Sequence, residues 1–187
     1  HGQKCIQNLS SRIFNFEKKN MFEIVFVGDS KVGKTALFES YLNRTKCIET
    51  CSTTGTSNNM VKIETQIGPI SLNLCDTAGN DKIMTCLSYY LKSAQAVLLF
   101  ADVSVDESLE NLKKWLEIVN KFNILKYLAV TKCDLEWKIS KEKLTEFANE
   151  NNMVLFFTSC DDLNSINEMI NKIANDLAIK YNLSPII

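Results

Sequence analysis

The sequence predicts one open α/β domain in three layers, with a mixed, mostly parallel sheet of six strands between two layers of helices. Four apolar runs are each followed by polar loop residues and then by a helical pattern, which is typical of strands covered on both faces. Two further segments alternate between apolar and polar residues, as a hairpin with one polar face does. The chain has 187 residues, of which 45% are hydrophobic, and this is enough for one substantial core.

The predicted strands follow one another along the chain. The apolar runs occupy residues 22–27, 96–101, 127–130 and 153–157. In the alternating segments, Val61, Ile63 and Thr65 alternate with Lys62 and Glu64, and after Gly68-Pro69 the apolar positions are Ile70, Leu72 and Leu74. Because each of these segments has one polar face, the pair predicts an antiparallel hairpin at one edge of an otherwise parallel sheet.

The predicted helices are marked by apolar residues at helical spacing. The first such pattern, residues 36–42, directly follows the first strand and its loop. Three later stripes consist of Leu109, Leu112, Leu116 and Val119, of Leu144 and Phe147, and of Leu163, Ile166, Ile170, Ile173 and Leu177. Residues three or four apart share one face of a helix, so each stripe is expected to pack on the sheet as core.

Composition and charge exclude several classes of function. The formal net charge is −1 and the lysines are scattered, so no attraction to nucleic acid or anionic lipid is expected. The longest apolar run, residues 96–101, is far shorter than the roughly 20 residues that cross a bilayer. Seven widely spaced cysteines without a CxxC pair indicate free thiols in a reducing compartment. They are Cys5, Cys47, Cys51, Cys75, Cys86, Cys133 and Cys160.

The predicted domain organisation is simple. Residues 21–182 are expected to form the α/β domain, residues 1–20 an N-terminal extension, and residues 183–187 a C-terminal tail. The pair His1-Gly2 is not expected to be the native start. No repeat, low-complexity tract or linker interrupts the pattern, which favours a single domain.

The strongest motif is GDSKVGKT, residues 28–35. It matches the pattern GxxxxGK[ST], with a strand directly before it and a helix directly after it, as the motif requires. In such a loop, backbone N–H groups turn toward a β-phosphate, the lysine neutralises β- and γ-oxygens, and the threonine hydroxyl can ligate Mg²⁺. The motif therefore predicts nucleotide binding rather than a strand–turn–helix with chance glycines.

Four further polar segments follow in order, three of them directly at the ends of predicted strands. They are Thr53-Thr54-Gly55, in the loop after the first helix, and then Asp76-Thr77-Ala78-Gly79, Thr131-Lys132-Cys133-Asp134 and Thr158-Ser159-Cys160. In an open α/β sheet, ligands bind at the edge where the carboxyl ends of the strands meet. All five motifs are therefore expected at one site.

This ordered set of motifs resembles the Ras superfamily of small GTPases over residues 21–181, and within it the Rab branch. The segments that are similar to Rab sequences are GDSKVGKT, DTAG at 76–79, SYY at 88–90, DVS at 102–104 and SLENLKKWLEIV at 108–119. The resemblance implies the fold of P-loop nucleotide hydrolases. The ordered set is much more specific than any one of its motifs.

The resemblance implies a site for GTP or GDP. The residues that would cradle the phosphates are Gly28, Asp29, Ser30, Lys31, Val32, Gly33, Lys34, Thr35 and Ala36. Those that would surround the base are Thr131, Lys132, Asp134, Ser159, Cys160 and Asp161. In this arrangement Asp134 accepts from the ring nitrogen and exocyclic amine of guanine. Adenine would leave that carboxylate unpaired, so GTP is expected to be preferred over ATP.

The resemblance also implies Mg²⁺ and a nucleotide-dependent switch. Thr35 and Thr53 would hold the metal, and Asp76 would bind it through water. The residues implied to act at the γ-phosphate are Lys34, Thr53, Gly79 and Asn80. Since the contacts of Thr53 and Gly79 are lost on hydrolysis, the loops near 45–58 and 77–90 are expected to loosen in the diphosphate state.

The sequence departs from the family pattern at four places. Asn80 stands where the family has a glutamine that orients the attacking water, and its shorter stem predicts slow intrinsic hydrolysis. Thr131 replaces asparagine, as in the Rho branch, without threatening guanine recognition. Asp161 replaces a common lysine, and residues 46–48 lack an aromatic residue. Both changes predict a lower affinity for nucleotide.

The implied partners are effector, exchange-factor and activating proteins that contact the residues near 45–58 and 77–90. Of the aromatic trio that Rab proteins present to effectors, only Tyr89 is matched, with Asn58 and Cys75 at the other places. The chain is therefore expected to have its own partners. A monomer is expected, located in the cytoplasm or peripherally on intracellular membranes. No terminal cysteine for prenylation is present, so membrane association is expected to be indirect or through a further C-terminal tail.

Two functions remain open at this point. The leading one is a switch in vesicle or intracellular transport that binds GTP and hydrolyses it slowly to GDP and phosphate. The alternative is a nucleotide-bound scaffold subunit of a transport complex, with little or no hydrolysis. Asn80 favours the scaffold, whereas intact Lys34 and Asp76 favour the switch. A P-loop kinase or ATPase lacks support because Asp134 indicates guanine.

Overall fold

The structure, a computed structural model of the chain, describes residues 20–45 and 55–181. The strands in these ranges are β1 (Met21–Val27), β2 (Thr56–Thr65), β3 (Gly68–Thr77), β4 (Ala96–Asp102), β5 (Leu125–Thr131) and β6 (Val154–Phe157). The helices are α1 (Lys34–Asn43), α2 (Asp81–Leu91), α3 (Ser108–Val119), α4 (Lys141–Glu150) and α5 (Leu163–Lys180). The predicted α/β fold is confirmed.

The six strands form one sheet in the order β2-β3-β1-β4-β5-β6. β2 pairs antiparallel with β3, and every other neighbouring pair is parallel. In the hairpin, Ile63 lies opposite Ile70 and Asn58 lies opposite Cys75. The predicted mixed sheet with one antiparallel edge is thus confirmed, and its alternating pattern fixes which hairpin side chains face the core.

Helices cover both faces of the sheet, because alternate residues of each buried strand point to opposite sides. On one face, Ile24 and Phe26 of β1 belong to an apolar cluster with α1 and α5. On the other face, Val25 and Val27 belong to a second cluster with α2, α3 and α4. All seven residues of β4 are buried, as its continuous apolar run predicts.

Two expectations about the core need correction. The run at 153–157 was expected to be covered on both faces, but β6 is an edge strand whose Val154 is 42% exposed. Leu163, expected in the buried stripe of α5, is only partly buried because it is the first residue of the helix. The remaining predicted helix stripes are buried.

The other expectations concern cysteines and chain segments. Cys75, Cys86, Cys133 and Cys160 are free thiols, in agreement with the prediction. In the part of the chain that the structure describes, no helix is both long and apolar enough for a membrane span. Except for Asn20 at the start, the predicted extension at 1–20 lies outside the described residues, and so does the tail at 183–187.

Candidate functional site

The loop between β1 and α1 has a backbone shape that its glycines permit. Gly28 and Gly33 have φ angles of 150° and 99°, which side chains rarely allow. A Cβ on Gly28 would lie 2.9 Å from the carbonyl oxygen of Phe100 on β4. Lys31 also has a positive φ, 67°, and its side chain is exposed. The loop therefore turns tightly against the sheet before α1 begins.

Lys34 is a buried cation inside this loop. Its side chain is 4% exposed, and its Nζ donates to the carbonyl oxygens of Gly28 at 2.7 Å and Asp29 at 2.6 Å. Burial lowers the pKa of the ammonium to about 8, although the negative charges of Asp76 and Asp29 act in the opposite direction. An anion bound in the loop would stabilise the charged form.

Thr35 and Asp76 bring α1 and β3 together. The Thr35 hydroxyl donates to Oδ2 of Asp76 at 2.7 Å, and Asp76 is 1% exposed at the carboxyl end of β3. A hydroxyl and a carboxylate are oxygen ligands of the kind that Mg²⁺ prefers, together with substrate phosphates. This donor set fits the predicted metal. Thr53, the other predicted ligand, lies outside the described residues, as does Thr54.

Gly79 packs directly on the loop at residues 28–35, which is predicted to cradle the phosphates and is called the phosphate loop. A Cβ on Gly79 would lie 2.1 Å from the backbone carbon of Asp29 and 2.2 Å from the nitrogen of Ser30, so no side chain fits there. The Ser30 hydroxyl donates to the carbonyl oxygen of Gly79 at 2.9 Å. Next to it, the Ala78 N–H donates to the carbonyl oxygen of Gly55 at 2.9 Å. The DTAG segment thus contacts the phosphate loop through Gly79 and Gly55 through Ala78.

Asn80 caps helix α2. Its Oδ1 accepts from the backbone N–H of Ile83 at 3.1 Å, and its backbone is extended, as an N-cap requires. The side-chain oxygen is therefore engaged with the first turn of its own helix. This second use of the amide is not evident from the DTAGN motif alone, although asparagine at the start of a helical pattern, with an acidic residue such as Asp81 in the first turn, is a cap signal.

A contact from α3 to the phosphate loop was missed in the sequence. The indole Nε1 of Trp115 donates to Oδ1 of Asp29 at 2.8 Å, and the Lys114 ammonium lies 2.9 Å from the same oxygen. Trp115 is 1% exposed. Its place in the apolar stripe of α3 indicated a core residue, and nothing in the spacing indicated the partner of its N–H group.

The residues predicted to surround the base begin at the end of β5. Thr131 is 4% exposed, and its hydroxyl lies 2.5 Å from the carbonyl oxygen of Val32 and 3.1 Å from that of Ala101. A hydroxyl has one proton, and the shorter distance favours Val32. Thr131 therefore ties β5 to the phosphate loop.

Lys132 pairs with Asp102 of the DVS segment, for which the sequence predicted no role. Its Nζ lies 2.5 Å from Oδ2 of Asp102, and Asp102 is 3% exposed at the carboxyl end of β4. The other carboxylate oxygen accepts from the N–H and hydroxyl of Ser104. A carboxylate that directly follows a buried apolar run was the available signal for this residue.

Asp134 is held by the loop after β6. The Ser159 hydroxyl donates to Oδ1 of Asp134 at 2.5 Å and accepts from the N–H of Asp161 at 3.1 Å. Asp134 is exposed, whereas Ser159 is buried. Cys160 is half-buried, and burial raises the pKa of its thiol. The predicted base-binding residues thus lie in two adjacent loops, with the Asp134 carboxylate toward solvent.

The predicted effector positions differ in exposure. Tyr89 is 75% exposed and makes an edge contact with Tyr90, with ring centroids 5.8 Å apart. Asn58 is exposed on the edge strand β2. Cys75, its neighbour across the hairpin, is fully buried and offers no surface. One aromatic side chain therefore remains at these three positions.

Comparisons with known proteins identify the family that the sequence matches. The sequence model of the Ras family matches residues 23–179. The chain is 28% identical over 166 residues to Ras-related protein Rab-13 of Mesocricetus auratus, covering 86% of this chain and 82% of the relative. It is 28% identical to GTP-binding protein YPT1 of Saccharomyces cerevisiae, with coverages of 82% and 77%. It is 30% identical to Ras-related protein RABD2c of Arabidopsis thaliana, with coverages of 82% and 79%.

Proposed function

The chain belongs to the Ras family, and from that premise we propose a Rab-like GTP switch whose intrinsic hydrolysis is slow. It is a small GTPase that binds GTP and GDP with Mg²⁺ and acts in vesicle transport. We also propose which residues carry each role, that hydrolysis is slow, and that partner binding depends on the bound nucleotide.

The observation that carries the proposal is the meeting of two groups of residues at one sheet edge. Lys34 and the Thr35–Asp76 pair lie in and beside the phosphate loop. The Asp134–Ser159 pair lies at the ends of β5 and β6. Thr131, bonded to Val32, links the two groups. The residues proposed for the phosphates and those proposed for the base thus lie at the ends of neighbouring strands. This placement supports binding of one whole guanine nucleotide.

Thr35 and Asp76 fit the proposed metal, with Thr53 as a further ligand. Mg²⁺ held by these residues would neutralise negative charge on the phosphates of the nucleotide. The protein's own contribution is positioning: Lys34 supplies a fixed cation, and Gly79 offers a backbone N–H beside the phosphate loop. Because Gly79 packs on Asp29 and Ser30, small movements of the phosphate loop and of the DTAG segment are coupled.

Slow hydrolysis is proposed from the position of Asn80. Positioning of the attacking water accounts for much of the catalysis of phosphoryl transfer. The Asn80 Oδ1 is bonded to the N–H of Ile83, and the side chain is one methylene shorter than a glutamine. The amide would have to leave the helix cap in order to orient a water. An activating protein that depends on a glutamine is therefore expected to be ineffective.

The scaffold remains a second candidate because of the altered effector surface. Cys75 is fully buried and Asn58 is polar, so of the three positions only Tyr89 keeps an aromatic anchor of the kind that makes interaction hot spots. The proposed partners, exchange factors, effectors and activating proteins, contact the residues near 45–58 and 77–90. We further propose a monomer in the cytoplasm and peripherally on intracellular membranes.

The test of the switch compares partner binding in two nucleotide states. The protein loaded with GDP or with a non-hydrolysable GTP analogue is used to capture partners, and the affinity of each captured partner is then measured in both states. A switch requires at least one partner with clearly different affinities, because equal affinity for both states shifts nothing. Equal affinities throughout would establish the scaffold instead.

The rate is tested by single-turnover hydrolysis of GTP with Mg²⁺. The proposal expects a rate constant below about 5 × 10⁻⁴ per second, the upper intrinsic value for Ras. A faster intrinsic rate would show that Asn80 does not make hydrolysis slow.

A further inference from the structure

An aromatic stack joins the two loops that are proposed to read the base. Trp137 lies three residues after Asp134, and its ring stacks on that of Phe157, with centroids 5.4 Å apart and planes at 20°. Phe157 is the last residue of β6 and directly precedes the Thr158-Ser159-Cys160 segment. The ammonium of Lys141 lies 5.5 Å from the Phe157 centroid. Offset-stacked rings of this kind attract each other beyond their buried area.

The same tryptophan holds the backbone of the Asp134 loop. The indole Nε1 of Trp137 donates to the carbonyl oxygen of Cys133 at 3.1 Å, and Cys133 lies between Lys132 and Asp134. The N–H of Cys133 donates to the carbonyl oxygen of Thr158 at 3.2 Å. Both backbone polar groups of Cys133 are therefore hydrogen-bonded, the carbonyl to Trp137 and the N–H to Thr158, which directly follows Phe157.

These contacts hold Asp134 from two sides. On one side, its carboxylate accepts from Ser159; on the other, its preceding residue is held by Trp137, which rests on Phe157. Asp134 itself is exposed, so packing around its own side chain does not fix its position. A binding group is placed accurately only when neighbouring residues lock its backbone and rotamer.

We propose that Trp137 is a positioning residue for base recognition. By stacking on Phe157 and donating to Cys133, it holds the Asp134 carboxylate where guanine presents its ring N–H and exocyclic amine. The inference rests on the proposed function, because it assumes that Asp134 meets guanine. It adds a residue beyond the motifs that contact the nucleotide, and it makes base selectivity depend on an indole that is 38% exposed.

The test measures the dissociation rates of GDP and of inosine diphosphate, whose base lacks the exocyclic amine. Trp137→Leu removes both the stack and the indole donor, whereas Trp137→Phe keeps an aromatic ring and removes only the donor. We expect GDP to dissociate roughly fivefold to thirtyfold faster from the leucine variant, with the phenylalanine variant between it and wild type. The dissociation rate of inosine diphosphate is expected to change less, so that the ratio between the two nucleotides falls.

The matched control is Tyr181→Leu. Tyr181 is also a partly exposed aromatic residue, 42% exposed, and its ring contacts that of Phe22 at 5.3 Å. Phe22 lies near the start of β1, away from the edge that holds the site. This variant is expected to lose thermal stability without a change in either dissociation rate. It separates general loosening of the fold from loss of base positioning.

Each outcome decides the inference. Unchanged GDP dissociation from both Trp137 variants overturns it, and so does an equal acceleration for both nucleotides, since that result indicates general loosening. If the leucine variant does not fold, the phenylalanine variant decides alone by the same ratio. If wild type binds neither GDP nor GTP, the proposed function has failed, and the test identifies that failure before any variant is compared.

Discussion

The indole nitrogen of Trp115 donates to the carboxylate of Asp29 at 2.8 Å, so a core helix holds the second residue of the phosphate loop. Lys114 lies 2.9 Å from the same oxygen but is 45% exposed at its side chain. The buried donor is therefore expected to matter more than the exposed ion pair. Helix α3 fixes the loop before any phosphate arrives.

Replacing this donor tests its contribution. Trp115→Phe keeps an aromatic ring in the core but removes the N–H, and we expect the free energy of unfolding to fall by about 1–3 kcal/mol. Urea unfolding of the nucleotide-free protein measures this change. Lys114→Ala is the control, with an expected loss of less than about 1 kcal/mol. If Lys114→Ala lost more free energy of unfolding than Trp115→Phe, the ion pair and not the indole would anchor Asp29.

Asn80→Gln tests the account of slow hydrolysis. The longer side chain carries the same amide further from the backbone, so we expect single-turnover hydrolysis of GTP to become faster. The same substitution weakens the cap of α2, where Asn80 accepts from Ile83, and is expected to cost about 1 kcal/mol of stability. The substitution is therefore expected to speed hydrolysis and to lower stability. Single-turnover hydrolysis measures the first effect, and urea unfolding measures the second.

Asn80→Asp is the matched variant at this position. Aspartate caps helices as well as asparagine does, so stability is expected to be retained, but the side chain has no amide and hydrolysis is expected not to increase. If Asn80→Gln and wild type hydrolyse GTP at the same rate, then the side chain at this position does not limit the reaction.

The buried ammonium of Lys34 predicts a pH dependence of nucleotide affinity. Its pKa is lowered to about 8 by burial, and bound phosphate is expected to raise it again. The protein then takes up a proton on binding above pH 8, so affinity falls as the pH rises. We expect GDP to bind about tenfold more weakly at pH 9 than at pH 7.

Titration calorimetry between pH 7 and pH 9 measures this effect. In Lys34→Arg the side chain stays charged throughout the range, so its affinity, even if weaker overall, is expected to vary little with pH. Equal pH slopes in wild type and variant would show that another group titrates.

Gly79→Ala tests the close approach of the DTAG segment to the phosphate loop. The added Cβ would lie 2.1 Å from the backbone carbon of Asp29, so the segment must move away. Its N–H would then no longer reach the γ-phosphate, and we expect the affinity for a GTP analogue to fall relative to that for GDP. An unchanged ratio of the two affinities would show that Gly79 takes no part in recognising the γ-phosphate.

Much of the fold was predictable because its signals are local. The continuous run at 96–101 is a fully buried strand, and the alternation from Val61 to Leu74 is the antiparallel hairpin. The motif GDSKVGKT depends on glycines at positive φ, which a short stretch of sequence specifies. The weakest prediction was the burial of β6, since a short apolar run does not indicate whether its strand lies at an edge.

The site was predictable only where its residues belong to motifs. Lys34, Asp76 and Asp134 were identified because each belongs to a motif at or just after the end of a strand. The partners Asp102, Trp115 and Trp137 are brought close by tertiary packing. Lys132 lies 30 positions after Asp102, and Trp115 lies 86 positions after Asp29. No local pattern specifies such pairs, because the geometry of the folded sheet creates them.

The central claim is that this site binds a guanine nucleotide through Asp134. Its most direct test is a competition measurement of GTP and ATP affinity with wild type and with Asp134→Ala. We expect wild type to bind GTP at least about 100-fold more tightly than ATP, since adenine leaves the carboxylate unpaired. We expect Asp134→Ala to lose most of that preference. Comparable affinity of wild type for ATP and GTP would contradict the account.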